Sequence, residues 1–291
     1  MDFFINYFET IPSSHRAFIL VGGILFFWLL ENNWPLFQFG YRKWRHAGIN
    51  FFFTFTTILV NFPLAFALLW ASDWTQKFHI GLFHWLSFTP FWLRTIAALL
   101  LLDFIGAWFA HWIQHQVKFL WQFHLIHHTD QQVDTTTANR HHPGESLVRF
   151  IFTWVAILAA GAPMWLVFLY QSLSVVLSQF NHANITLPSW LDRVISLVVV
   201  TPNMHHIHHH YQQPYTDSNY GNIFSLWDRL LGTYRFAFQK DLVYGIDTHP
   251  TPEENARIAN LLKIPFQPYR PASDSKLSST TPVKDQTKEN I

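Results

Sequence analysis

Four stretches of this chain are apolar over lengths that a surface helix of a soluble domain rarely sustains: 17–30, 49–71, 91–110 and 147–180. A bilayer crossing takes about 20 such residues. In hydrocarbon only helices and closed barrels satisfy every backbone polar group. Unbroken apolar runs, not alternating ones, select helices. The sequence therefore predicts an all-α, polytopic membrane bundle of about four spans or span pairs. Pro63 interrupts the second run, and Gly161 and Pro163 split the fourth. At 34 residues the fourth is too long for one span, and it reads as two short helices in a hairpin that leaves and re-enters on one side; a single tilted span is the alternative.

Composition supports a membrane chain that also has a polar part. Only 13% of the 291 residues are charged, against about 25% in a typical soluble domain. The chain has 30 Phe and 14 Trp, and Trp favours the membrane–water boundary. Mean hydropathy is nevertheless only +0.11. A net charge of +1 gives no footprint for nucleic acid. The absence of Cys excludes disulfides, thiolate metal sites and iron–sulfur clusters. With Asp2 and Glu9 and no basic stretch ahead of an apolar one, the first 16 residues do not read as a secretory signal.

Charge near the spans sets an expected orientation. Arg42, Lys43 and Arg45 follow the first run, against Glu31; Lys77 and Asp73 follow the second. The positive-inside rule puts 31–48 in the cytoplasm. The third span then delivers His111 to that side and the hairpin keeps His205 there. The stretch 187–200 suits a helix lying along the interface. The residues 1–265 read as one membrane-embedded domain, and 266–291, rich in Ser, Thr, Pro and Lys, as a disordered tail.

Thirteen of the 18 histidines lie between His111 and His210. His111 and His115 stand at i and i+4. His124, His127 and His128 stand at i, i+3 and i+4, and His205, His208 and His209 repeat that pattern. Residues at these spacings share a helix face, so each group can aim its imidazoles at one point. His206, His209 and His210 fit the third spacing equally well. His142, beside His141, and the lone His182 lie between the groups. Eight clustered imidazoles exceed the three or four ligands of a zinc site and suit two metal ions. Imidazole alone does not choose between iron, zinc, copper and nickel. No His-Glu-x-x-His and no Glu-x-x-His is present, which removes the zinc-protease and soluble di-iron carboxylate patterns. His15, His46, His79, His84 and His249 are isolated and read as interface or surface residues.

Residues 95–235 resemble the fatty acid hydroxylase / sterol desaturase superfamily. The stretches that carry the likeness are His111-Trp-Ile-Gln-His115, Leu120-Trp-Gln-Phe-His124-Leu-Ile-His127-His128-Thr-Asp130, Arg140-His-His142-Pro-Gly-Glu145 and Asn181-His182-Ala-Asn184. After them come Thr201-Pro-Asn-Met-His205-His-Ile-His208-His209, Asp217-Ser-Asn219-Tyr-Gly221 and Trp227-Asp228-Arg-Leu-Leu-Gly232-Thr233. The resemblance implies two iron ions held by histidine, dioxygen as co-substrate, and hydroxylation or desaturation of a lipid; with the orientation expected from charge, the site sits on a cytoplasmic helical cap. It implies His111, His115, His124, His127, His128, His205, His208 and His209 as ligands, with His142 and His182 completing the set. It favours His205, His208 and His209 over the shifted triple, leaving His206 and His210 outside the ligand set.

Ligating imidazoles usually donate their other N–H to a carboxylate or carbonyl. Asp130, Asp134, Glu145, Asp217 and Asp228 are the nearby candidates. Asp103 lies inside an apolar span, where an ionisable group is costly. It is too far along the helix from His111 to touch it, so a local structural bond is its alternative. No Gly-rich nucleotide fingerprint is present. Electrons are thus expected from a separate donor protein at the end of an NAD(P)H-linked chain. The competing function is a membrane metal-binding or transport protein; a non-catalytic family member is a further alternative.

Overall fold

The computed structural model describes residues 2–272. Their regular structure is helical, with only isolated β-bridges. A short α1 (Asp2–Glu9) precedes α2 (Ser13–Asn33) and the long α3 (Lys43–Phe78). The third apolar run forms α4 (Phe91–Gln116). Next come α5 (Lys118–His128), α6 (Pro143–Ala160) and α7 (Met164–His182). The remainder holds the short helices α8 (Ser189–Ile195), α9 (Pro202–His208) and α10 (Leu226–Leu230).

Four helices, α2, α3 with its short continuation to Trp85, α4 and α6, are long and apolar enough to cross a membrane. Leu25, Phe26, Phe55, Phe62, Phe66 and Ile151 are exposed on their outer faces. In water such surface would be untenable; in a bilayer it meets acyl chains. Between the helices, fully buried Ala71, Ala98, Ala156 and Ala160 let backbones approach closely. Leu102, Ile157, Leu166 and Val167 fill the same core.

Pro63 does not end the second run, because α3 continues through it for another 15 residues. A membrane helix tolerates the lost backbone bond when its surroundings hold it straight. The fourth run splits where expected. Gly161 takes a left-handed φ of 63° and Pro163 caps α7. A Cβ on Gly161 would come within 2.4 Å of the Ile80 carbonyl oxygen, so both conformation and contact require glycine. Ser72 Oγ and Gln76 Nε2 of α3 donate to the carbonyls of Ala162 and Gly161. The two legs, 18 and 19 residues long, are full-length helices, not short ones.

A polar cap closes one end of the bundle. Its own core comprises Ile49 and Phe53 of α3, Trp121, Leu125 and Ile126 of α5, and Ile246, Leu261 and Ile264. Of the stretch 187–200, only α8 is helical, and none of its residues is buried. The tail expected from 266 is partly attached: Gln122 donates to the Gln267 carbonyl and Lys118 lies over the Tyr269 ring at 4.0 Å. From 273 onward that tail lies outside the described residues.

Candidate metal centre

The final turns of α4 carry His111 and His115, and just ahead of them the helix widens to π geometry over Phe104–Phe109. Such turns recur at functional sites because they re-aim the side chains that follow. The last two turns of α5 carry His124, His127 and His128. Both histidines of a pair three or four apart lie on the inward face, as the spacing requires. Thr201 caps α9 through its side chain, Pro202 occupies the first turn, and the helix presents His205 and His208, followed by His209. His182 ends α7.

Two groups result. His111, His115, His124, His128 and His208 form one, and His127, His182, His205 and His209 the other. The ligating atoms in each lie within 4.8 Å of one another, and all nine residues are buried. The groups are adjacent: the His128 and His209 rings stack at 5.1 Å, and His205 and His208 at 5.2 Å. Of the ten histidines singled out from sequence, only His142 is outside both groups. Its Nδ1 accepts from Gly144 N as the cap of α6, and its Nε2 faces the Leu262 carbonyl. His206 and His210 are also elsewhere. His206 bonds the Tyr244 hydroxyl at 2.7 Å and His210 Nδ1 accepts from Val243 N. Of the two alternative triples, His205, His208 and His209 lie in the groups, whereas His206 and His210 do not.

The leftover polar atoms test whether these residues suit metal ions. Nε2 of His115, His128, His208 and His209 is buried without a partner, a condition that folded proteins largely avoid. His111 and His124 point Nε2 at Nε2 across 3.0 Å, as do His205 and His182; His182 and His127 do so across 3.1 Å. Imidazole nitrogens bound at roughly 2.0–2.1 Å to one ion sit about 3 Å apart. The residues fit two such ions.

In five of the nine the opposite ring nitrogen is held from outside, whereas Nδ1 of His127, His128, His205 and His209 is buried without a partner. His111 donates through Nδ1 to the Tyr220 carbonyl, His208 to that of Ser218 and His182 to that of Ser178. His115 meets Asp217 Oδ1 at 3.1 Å and His124 meets Glu145 Oε1 at 2.8 Å. This fixes which nitrogen faces inward. Burial, followed by neighbouring imidazoles, holds His127, His128, His205, His208 and His209 well below the ordinary histidine value. Burial pushes His124 down to about 4 against the pull of Glu145. Neutral imidazoles are the ligating form.

The remaining carboxylates sort by partner. Asp228 takes the backbone N–H groups of Tyr220 and Gly221, Trp108 Nε1 and the Thr233 hydroxyl, so it supports the strand of chain behind His111. A Cβ on Gly221 would lie 2.9 Å from its Oδ2. Asp103 accepts from Trp227 Nε1 and Phe224 N, so it ties the third span to a segment more than 120 residues further along the chain and makes no local bond of the kind expected. Asp130 does not touch a clustered histidine; it pairs with His46 Nε2 at 2.8 Å. His46 also meets Asp134 at 3.2 Å, and Tyr41 donates to Asp134 at 2.6 Å. Burial alone would raise Asp130, but His46 and Arg140 outweigh it and hold it below the usual carboxylate range. His46 is therefore a buried ion-pair residue, not a surface one, and His249 is buried as well. His141, passed over in favour of its neighbour, stacks on His127 at 4.8 Å and meets Glu145 at 3.0 Å.

A cleft of about 510 Å³ runs between the spans. Ile58, Phe62, Ala65, Leu68, Phe150 and Val175 form its apolar walls. It shares Ala107, His141 and Arg149 with a small cavity against His111, His124, His127, His182 and His205. The cleft between the helices thus adjoins the cavity against the histidines.

An integral membrane bundle with two adjoining buried imidazole groups at one end defines the class. Residues 95–233 match the family described as fatty acid hydroxylase. Curated relatives agree. The chain is 24% identical to the ornithine lipid hydroxylase OlsE of Rhizobium tropici over 60% of its own length and 50% of the relative's. It is 29% identical to human alkylglycerol monooxygenase over 64% and 36%, respectively. It is 28% identical to a cholesterol 25-hydroxylase-like protein of Danio rerio over 55% and 66%. The chain thus spans half or less of the length of the first two. No solved structure gives a significant match.

Proposed function

We propose that this chain is a multi-pass, di-iron oxidoreductase that uses dioxygen to hydroxylate or desaturate a lipid. The observation that carries the reading is the junction just described: nine buried histidines in two adjoining groups, reached from a cleft between membrane helices. Bound iron would supply the oxidising power towards an unactivated C–H bond, which no side chain provides.

The chain's own residues do the rest. His111, His115, His124, His128 and His208 would hold one ion, and His127, His182, His205 and His209 the other. Glu145, Asp217 and the carbonyls of Tyr220, Ser218 and Ser178 orient the rings. The apolar walls of the cleft admit an acyl or ring system and exclude water. His141 and Arg149 stand where the lipid meets the centre. Arg42, Lys43 and Arg45, at the cap end, support a cytoplasmic position for the site. A separate donor protein would deliver electrons there from an NAD(P)H-linked chain.

The test is expression in a host lacking the activity, under ¹⁸O₂, with lipid profiling. A labelled hydroxyl or a new double bond that disappears with His127→Ala supports the reading. No oxidised lipid from iron-loaded, reductively supplied protein would overturn it.

A further inference from the structure

The inner end of the cleft is not apolar. Arg149 stands two turns into α6, a helix whose composition suits a membrane crossing. A cation there is costly and usually marks function. Its side chain lines both the 510 Å³ cleft and the small cavity against the histidines, and it keeps 31% of its exposure. Its ion-pair partner, Glu145 Oε1, is 3.6 Å away, beyond hydrogen-bond reach. That oxygen is already engaged by His124 at 2.8 Å and approached by His141 Nδ1 at 3.0 Å. Among the described residues no hydrogen bond is made to the Arg149 guanidinium. The guanidinium's fixed N–H donors thus line the cleft beside the centre with the nearest carboxylate beyond hydrogen-bond reach.

We propose that the substrate is a lipid with an anionic oxygen group, carboxylate or phosphate, near the carbon that is oxidised, and that Arg149 holds that group. This rests on the oxygenase reading and adds the orientation of the lipid to it. A guanidinium matches such groups with two parallel hydrogen bonds. Because Arg149 borders the metal-facing cavity itself, the carbons brought to the histidines are those next to the bound group. The chain's apolar remainder lies along Ile58, Phe62, Ala65 and Leu68. The opposite orientation would seat the head on Arg16, which also lines the cleft. Arg16 is already engaged, donating to Ser13 Oγ at 3.0 Å and lying over the Phe168 ring at 5.1 Å.

Binding, read without turnover, tests this. The full-length, metal-loaded protein in zwitterionic nanodiscs is titrated with hexadecanoate, hexadecyl phosphate and neutral hexadecanol. At least one anion is expected to bind about tenfold or more tightly than the alcohol, the size of a charge-assisted hydrogen bond; which anion does so names the source. Arg149→Gln should remove the preference and leave hexadecanol affinity and metal content unchanged. Arg149→Lys should keep part of the preference, which also covers failure of the Gln variant to accumulate. No anion preference in the wild type overturns the proposal, as does a preference that survives Arg149→Gln or vanishes in Arg16→Gln. A chain that oxidises a neutral lipid while showing no anion preference would sink this proposal and spare the oxygenase reading.

Discussion

His124 donates through Nδ1 to Oε1 of Glu145 at 2.8 Å, which turns its Nε2 towards that of His111 at 3.0 Å. One carboxylate at the start of α6 thereby sets the aim of an imidazole on α5. Glu145→Ala should lower metal affinity roughly 10- to 100-fold, the usual effect of losing such an orienting partner. Competition with a metal indicator on purified protein measures this; unchanged affinity would remove Glu145 from the site.

His142 should behave unlike the clustered histidines. His142→Ala removes a helix cap, which costs about 1 kcal/mol, and should leave metal stoichiometry intact. His127→Ala should lose metal and activity while the protein stays in the membrane. Metal analysis of both variants, extracted in parallel, decides. Loss of metal in His142→Ala alone would reverse the assignment.

The histidine spacings were legible because helices repeat: one pair at i, i+4 and two triples at i, i+3, i+4 need no tertiary knowledge to share a face. The break at Gly161 and Pro163 was legible for a similar local reason. The placing of His142 was also in the sequence, since Pro143 at a helix start makes the residue before it the cap. His46 was not legible, because its partner Asp130 is 84 residues away and nothing near His46 points to it. Nor were the carbonyls of Tyr220 and Ser218, because every residue has one.

His46 holds two buried carboxylates, Asp130 and Asp134. Removing one member of a buried pair costs about 3–5 kcal/mol. His46→Ala should therefore lower thermal stability markedly, with metal stoichiometry unchanged in the protein that still folds. A melting curve identical to wild type would show that the pair contributes nothing.

Stability without metal should fall in acid. His124 is held at about 4 in the fold, against an ordinary value of 6.5. The unfolded chain therefore takes up the proton first. Stability is fully present above about 6.5 and declines as pH drops towards about 4, by an amount on the order of a few kcal/mol for this group. Denaturation of metal-stripped protein across that range checks the sign; greater stability at pH 5 than at pH 7 would contradict it.

The central claim is that the two histidine groups each hold an iron. Mössbauer spectroscopy with metal analysis on detergent-purified protein, grown with labelled iron, tests it most directly. Two coupled irons per chain that react with dioxygen are the expected result. Tightly bound zinc alone, with no activity after reconstitution with iron, would contradict it.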